Sequence, residues 1–175
     1  PQQQLISLFE HYQNGRYSDA EKLALSITQK FPNHQFAWKV LGSVLKQTGR
    51  IVASLTAAQK SVKLAPQDAE AHNNLGNTLK EVGKLDEALA CYNQAITLKP
   101  DFAEAHFSMG ITLKELGRLD EALASYNQTI ALKPDFAEAQ TNLGGLLRNL
   151  GRLDEALASY SKVIALKPNF AEGHD

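Results

Sequence analysis

With 175 residues, 43% of them hydrophobic, the chain has apolar material for one domain or one stack of small units, which excludes wholesale disorder. Its net charge is −1 but uneven. Eight Lys/Arg and three Asp/Glu fall in residues 1–67, against ten and sixteen in 68–175, with no basic patch of the kind nucleic-acid binding needs. No apolar run approaches the roughly 18–20 residues of a membrane span and no signal peptide is visible, so neither nucleic acid nor membrane is an expected partner. The single cysteine, Cys91, rules out an internal disulfide framework and fits a reducing, cytoplasmic compartment. The chain starts at Pro1 rather than Met, as a piece cut from a longer protein would.

Repetition organises the sequence. Prolines 32, 66, 100, 134 and 168 stand 34 residues apart, as do glycines 15, 49, 83, 117 and 151. "LKPDFAEA" at 98–105 returns unchanged at 132–139, and "LKPNFAEG" follows at 166–173. Such a period predicts stacked supersecondary units. The fold expected is all-α, a solenoid of antiparallel helix pairs in one array. Its repeats are 1–34, 35–68, 69–102, 103–136 and 137–170, with 171–175 starting a sixth.

In chain order, the first two repeats are the irregular ones. Leu8 stands where later repeats have glycine, Ser54 and Ala58 replace Ala and an aromatic, and Val52 occupies a position otherwise Asp or Ser. The third repeat has Gly76, Ala88 and Tyr92; the fourth Gly110, Ala122 and Tyr126; the fifth Gly144, Ala156 and Tyr160. In 119–130, apolar Leu119, Ala122, Leu123, Tyr126 and Ile130 fall on one helical face. Asp86, Asp120 and Asp154 precede such stripes and are expected as N-caps, after a glycine that allows a tight turn. Proline ends the second helix of each pair. "DFAE" at 101–104 and 135–138 then reads as a capping box opening the next one. Small residues such as Gly76 against Ala88 are expected to let the paired axes approach.

Trp38, Leu41, Gly42 and Pro66, then His72, Leu75, Gly76, Ala88, Tyr92 and Pro100, and their counterparts in later repeats carry a resemblance to the tetratricopeptide repeat over residues 1–170. The resemblance implies a right-handed superhelix, its first helices lining a concave side and its second helices the outside.

Motifs that suggest chemistry have simpler readings. The pairs Asp86–Glu87, Asp120–Glu121 and Asp154–Glu155 are adjacent at helix starts and do not converge, so capping is preferred to acid–base catalysis. His72 and His106 stand one repeat apart and His174 two repeats further on, too far for a metal whose ligands lie ~2 Å from one centre. Cys91 reads as a surface thiol, and "NQT" at 127–129 falls inside a helix. Neither cofactor nor metal is expected, and this piece does not read as an enzyme.

If the family geometry holds, the inward positions of the first helices hold Lys39, Asn73, Asn74, Asn77, Glu81, Ser108, Glu115, Thr141, Asn142 and Asn149. Side-chain amides both donate and accept, so they can pair with an extended peptide backbone of any sequence. A cationic clamp for a terminal carboxylate, known in some members, is matched only by Lys39 and Asn74, with Glu104 where a cation is required. "NNLGNTLKE" at 73–81 more closely resembles the repeats of O-linked N-acetylglucosamine transferases and their bacterial relatives, where an inner asparagine ladder contacts peptide backbone. Asn74 and Asn142 lie on that ladder; Val40 and Ser108 break it. The leading expectation is a scaffold that binds a protein or extended peptide. The alternatives are the substrate-recognition arm of a larger glycosyltransferase-like enzyme and a structural unit that forms homo-oligomers through uncapped ends. An RNA-binding repeat fits least.

Overall fold

The computed structural model describes residues 2–166, which form ten α-helices and, among the described residues, no strand. Pro168, His174 and the proposed start of a sixth repeat at 171–175 lie outside them. The chain divides into two compact units, Pro1–Pro100 and Asp101–Asp175.

The first unit holds three helix pairs. These are α1 (Gln2–Gln13) with α2 (Tyr17–Lys30), α3 (Gln35–Gln47) with α4 (Ile51–Leu64), and α5 (Ala69–Glu81) with α6 (Leu85–Leu98). The second holds two, α7 (Ala103–Glu115) with α8 (Leu119–Leu132) and α9 (Ala137–Asn149) with α10 (Leu153–Leu166). None of these helices is long and apolar enough to cross a membrane.

Each pair is joined the same way. At the end of α5, Gly83 takes φ +80°, which a side chain would strain. Its N–H donates to the Lys80 carbonyl at 2.9 Å and the Lys84 N–H to the Leu79 carbonyl at 2.9 Å. That is a Schellman closure, satisfying carbonyls the helix leaves free. The glycine periodicity in the sequence is therefore a periodicity of turns.

The starts of the second helices differ from the capping expectation. α6 and α8 begin at Leu85 and Leu119, with Lys84 and Arg118 as N-caps and no side-chain cap bond. Asp86 and Asp120 lie inside the first turn, where their charge complements the helix dipole instead. The capping box also fails at α7 and α9, whose N-cap positions hold Phe102 and Phe136. Phe102 is buried, so burial of a ring replaces a polar cap there. Only in the third repeat does the aspartate stand one place later: Asp68 caps α5, accepting from the Ala71 N–H at 3.1 Å.

The core of the first unit packs Leu8, Ala20, Ala24, Ile27, Ala37, Val40, Leu41 and Val44 against one another. Small residues keep the axes close, and the nearest atoms to two of the helical glycines are those of tyrosine rings. A Cβ on Gly76 would come within 2.6 Å of Tyr92 Cε1, and one on Gly110 within 2.8 Å of Tyr126 Cε1. Both tyrosines are fully buried. Each glycine is thus the recess for a tyrosine ring. In the second repeat Ala58 replaces that ring, and the nearest atom to a Cβ on Gly42 is the Ala58 backbone N at 3.4 Å.

Candidate protein-binding site

Helices α3 and α5 flank a cavity of 210 Å³ lined by polar groups, among them Lys39, Ser43, Lys46 and Gln47 from α3 and Asn74 and Thr78 from α5. The helical pattern that buries Val40, Leu41 and Val44 turns Lys39, Ser43 and Lys46 toward this space. Ion pairs tie the two helices together: Lys39 Nζ lies 3.0 Å from Asp68 Oδ2 and 2.9 Å from Glu70 Oε2, and Lys46 Nζ 3.3 Å from Glu81 Oε1. Gln35 Nε2 also donates to Asp68 Oδ2 at 2.8 Å. Burial opposes the charge on Lys39, but its hydrogen bonds to Glu70 and Asp68 outweigh that and hold the ammonium pKa above its usual value. Burial likewise pushes the Asp68 carboxyl up, and the Lys39, Ala71 and Gln35 hydrogen bonds together bring it below the ordinary carboxylate range.

Four of the five asparagines singled out from the sequence meet different fates. Asn74 lines the cavity. Asn77 is taken up by the fold, because the Tyr92 hydroxyl donates to its Oδ1 at 2.9 Å. Asn73 is buried, and its Oδ1 has no hydrogen-bond partner. Asn142 donates from Nδ2 to the Glu138 carbonyl one turn back, at 2.9 Å. Glu81 is held by Lys46.

In the second unit, Ser108 is half-buried, while Glu115, Thr141 and Asn149 are exposed. Thr141 Oγ1 donates to the Ala137 carbonyl at 2.9 Å. Ile111 stands at the position of Asn77, and the Tyr126 hydroxyl is accordingly buried without a partner. Burial, and then the charge of Glu115, push that phenol up to about 12. An aromatic cluster lies nearby: Phe107 packs against Phe136 at 4.8 Å between centroids and Tyr126 at 6.0 Å, and Lys133 Nζ sits 5.2 Å from the centre of the Phe136 ring.

The remaining motifs resolve as packing. His72 Nε2 is 2.9 Å from the Pro66 carbonyl, and Trp38 Nε1 donates to the Pro32 carbonyl at 2.8 Å. Histidine therefore reproduces the tryptophan's tie across the corner. Cys91 is half-buried rather than on the surface; burial, and secondarily Glu87, push its thiol up to about 11. Thr129 of the "NQT" triplet is buried, bonding the Ser125 carbonyl.

One group of residues escaped the sequence reading. Leu5, Ile6, Phe9 and Gln13 are the counterparts, 34 residues earlier, of Lys39, Val40, Ser43 and Gln47. Together with Phe36 of α3 they line a second, open and largely apolar pocket of 550 Å³. Subtracting one period from the second repeat's inward positions would have found it; the irregularity of the first repeat hid it.

Family models described as tetratricopeptide repeat match residues 10–69 and 107–169, and 57–90, and one described as TPR repeat matches 77–117. The chain belongs to the tetratricopeptide repeat family. Solved tetratricopeptide structures have the same fold. TTC0263, a thermophilic TPR protein of Thermus thermophilus, is 27% identical with a TM-score of 0.79, over 97% of this chain and 92% of that one. The crystal structure of MamA is 24% identical with a TM-score of 0.82, over 94% and 96%. YrrB, described as a TPR protein with an unusual peptide-binding site, is 20% identical with a TM-score of 0.74, over 95% and 86%. No curated protein sequence matches the chain.

Proposed function

We propose that this chain is a non-catalytic protein-interaction scaffold, a single tetratricopeptide array that takes an extended peptide on the concave face lined by its first helices. The polar cavity between α3 and α5, with Asn74 in its lining and ion pairs fixing its walls, carries this reading. An amide there can both donate to and accept from a peptide backbone. The peptide-binding site of YrrB, a protein of the same fold, supports it. Of the positions named above, Asn74, Ser108, Thr141, Asn142 and Asn149 are the contact residues; Lys39 and Glu81 build the walls, and Asn77 supports the fold behind them.

The test is selection from a displayed library of random dodecapeptides, followed by binding of single enriched peptides to Asn74→Ala and Asn142→Ala with helicity monitored. Each lost hydrogen bond weakens binding by about 0.5–1.5 kcal/mol, so the double variant binds about tenfold more weakly or worse. Unchanged affinity, or no enrichment at all, overturns the reading.

A second reading, self-association, has one observation in its favour: α10 leaves Leu153, Leu157 and Ile164 exposed. A monomer by sedimentation at high concentration counts against it.

A further inference from the structure

The inner positions of the first repeat differ in chemistry from those of the next two. Ile6 and Phe9 are 55% and 45% exposed, although their counterparts one repeat on are Val40, buried, and Ser43, which faces the polar cavity. Leu5 and Phe36 complete an apolar seat, the rings of Phe9 and Phe36 standing 6.3 Å apart. The exposed Ile6 and Phe9, beside the half-buried Leu5 and Phe36, form a patch that calls for an occupant.

A second copy stacked end to end is a poor fit. At the places where α5 presents Ala71, Leu75 and Thr78, α1 has Gln3, Ser7 and Glu10. Of these, Thr78 faces the preceding helix pair, its Oγ1 3.5 Å from Ser54 Oγ. A polar face at that place gives a stacked copy little apolar surface to bury.

The charges around the seat and the adjoining cavity decide further. Lys39 and Lys46 are the ammonium groups lining the two, and each is already paired. Their partners Asp68, Glu70 and Glu81 lie outside the cavity lining, and the charged side chain lining the seat itself is Glu10. The seat's own charge is therefore negative, the opposite of a surface made to grip a carboxylate.

Resting on the peptide-binding reading above, we infer that the α1–α3 seat takes one bulky apolar side chain of an extended peptide, flanked by basic residues. The anchor side chain enters between Phe9, Ile6 and Phe36. Its lysine or arginine neighbours lie against Glu10, the carboxylate lining the seat. Polar backbone then continues past Asn74.

The same dodecapeptide library, displayed against the full chain, tests this. The enriched sequences are expected to share a Leu, Ile, Phe or Trp with Lys or Arg within two positions. Ile6→Gln and Phe9→Gln, at exposed sites, should weaken such a peptide about tenfold or more, and changing its flanking Lys to Glu should weaken it further in a salt-dependent way. Enriched peptides that lack an apolar anchor, prefer acidic flanks, or bind Ile6→Gln as well as the parent overturn the seat while leaving the groove reading intact. No enrichment of any kind overturns both. A wild-type dimer by sedimentation that Ile6→Gln converts to a monomer assigns the seat to a second copy and overturns the peptide.

Discussion

Replacing helical glycines by alanine separates two effects that the repeats combine differently. In an open helix, Gly→Ala stabilises by about 0.8–1 kcal/mol through backbone entropy. At Gly42 that gain should be realised almost in full, because the new methyl meets the Ala58 backbone N at 3.4 Å and Ser54 O at 3.6 Å. At Gly76 it meets three atoms of the Tyr92 ring, the closest at 2.6 Å and 2.9 Å. The ring is fully buried and its hydroxyl is held by Asn77, so it has nowhere to swing. Overpacking of this kind costs about 1–3 kcal/mol. Gly76→Ala should therefore be neutral to destabilising by about 2 kcal/mol, and Gly42→Ala stabilising by up to about 1 kcal/mol.

Urea denaturation of the full chain, followed by far-UV circular dichroism with m checked for constancy, reads the difference. A double-mutant cycle sharpens it: Tyr92→Leu removes the ring, and Gly76→Ala in that background should lose most of its penalty. Equal effects at Gly42 and Gly76, or no coupling between Gly76 and Tyr92, would refute the reasoning that the ring dictates the glycine.

Three further outcomes follow from other contacts. Asn77→Ala removes the acceptor at Asn77 Oδ1 that the Tyr92 hydroxyl uses and should destabilise by about 0.5–1.5 kcal/mol, whereas Ile111→Asn, offering Tyr126 the missing partner, should stabilise by about 1 kcal/mol; urea midpoints check both. The depressed Asp68 carboxyl contributes stability above its unfolded pKa, about 3.9, that is lost as pH falls through the lower folded value. The raised Lys39 contributes below about 10.4, lost as pH rises through the higher folded value. Thermal melts across pH should thus differ between parent and Asp68→Asn at neutral pH and converge under strong acid; a constant gap would contradict the linkage. With its thiol pushed to about 11, against about 8.5 for a free one, Cys91 should carry roughly 300-fold less thiolate at pH 7.5 than free cysteine and, even with the higher nucleophilicity of that thiolate, react with a disulfide reagent at least about tenfold more slowly. A rate near that of free cysteine would show the thiol to be open.

The fold was legible because its determinants are local and periodic. Glycine every 34 residues fixes φ > 0 at each pair's turn, and proline just after α2, α4, α6 and α8 stops those helices. The capping details were less legible, since a one-residue offset decides them. Asp68 and Asp101 look like the same cap in sequence, yet only the first stands at the N-cap, while Phe102 displaces the second by burying its ring. The ion pairs from α3 to α5 join residues about 30 apart with no pattern in sequence to announce them.

The inner position held by Ser43, Asn77, Ile111 and Gly145 shows why a list of inward residues overstates a binding site. Side chains there lie beside a tyrosine in the regular repeats. Asn77 accepts its hydroxyl proton, Ile111 leaves the equivalent hydroxyl bare, and a methyl on Gly145 would be 3.7 Å from that of Tyr160. An asparagine at this place stabilises the helix pair before it can meet a ligand, so Asn77→Ala should change stability and affinity together. Asn74, one helical turn earlier and lining the cavity, has no such duty in the fold. Asn74→Ala should then weaken peptide binding with the urea midpoint unmoved within about 0.5 kcal/mol. Should the midpoint fall as far as it does for Asn77→Ala, Asn74 too is part of the scaffold and the contact surface lies elsewhere.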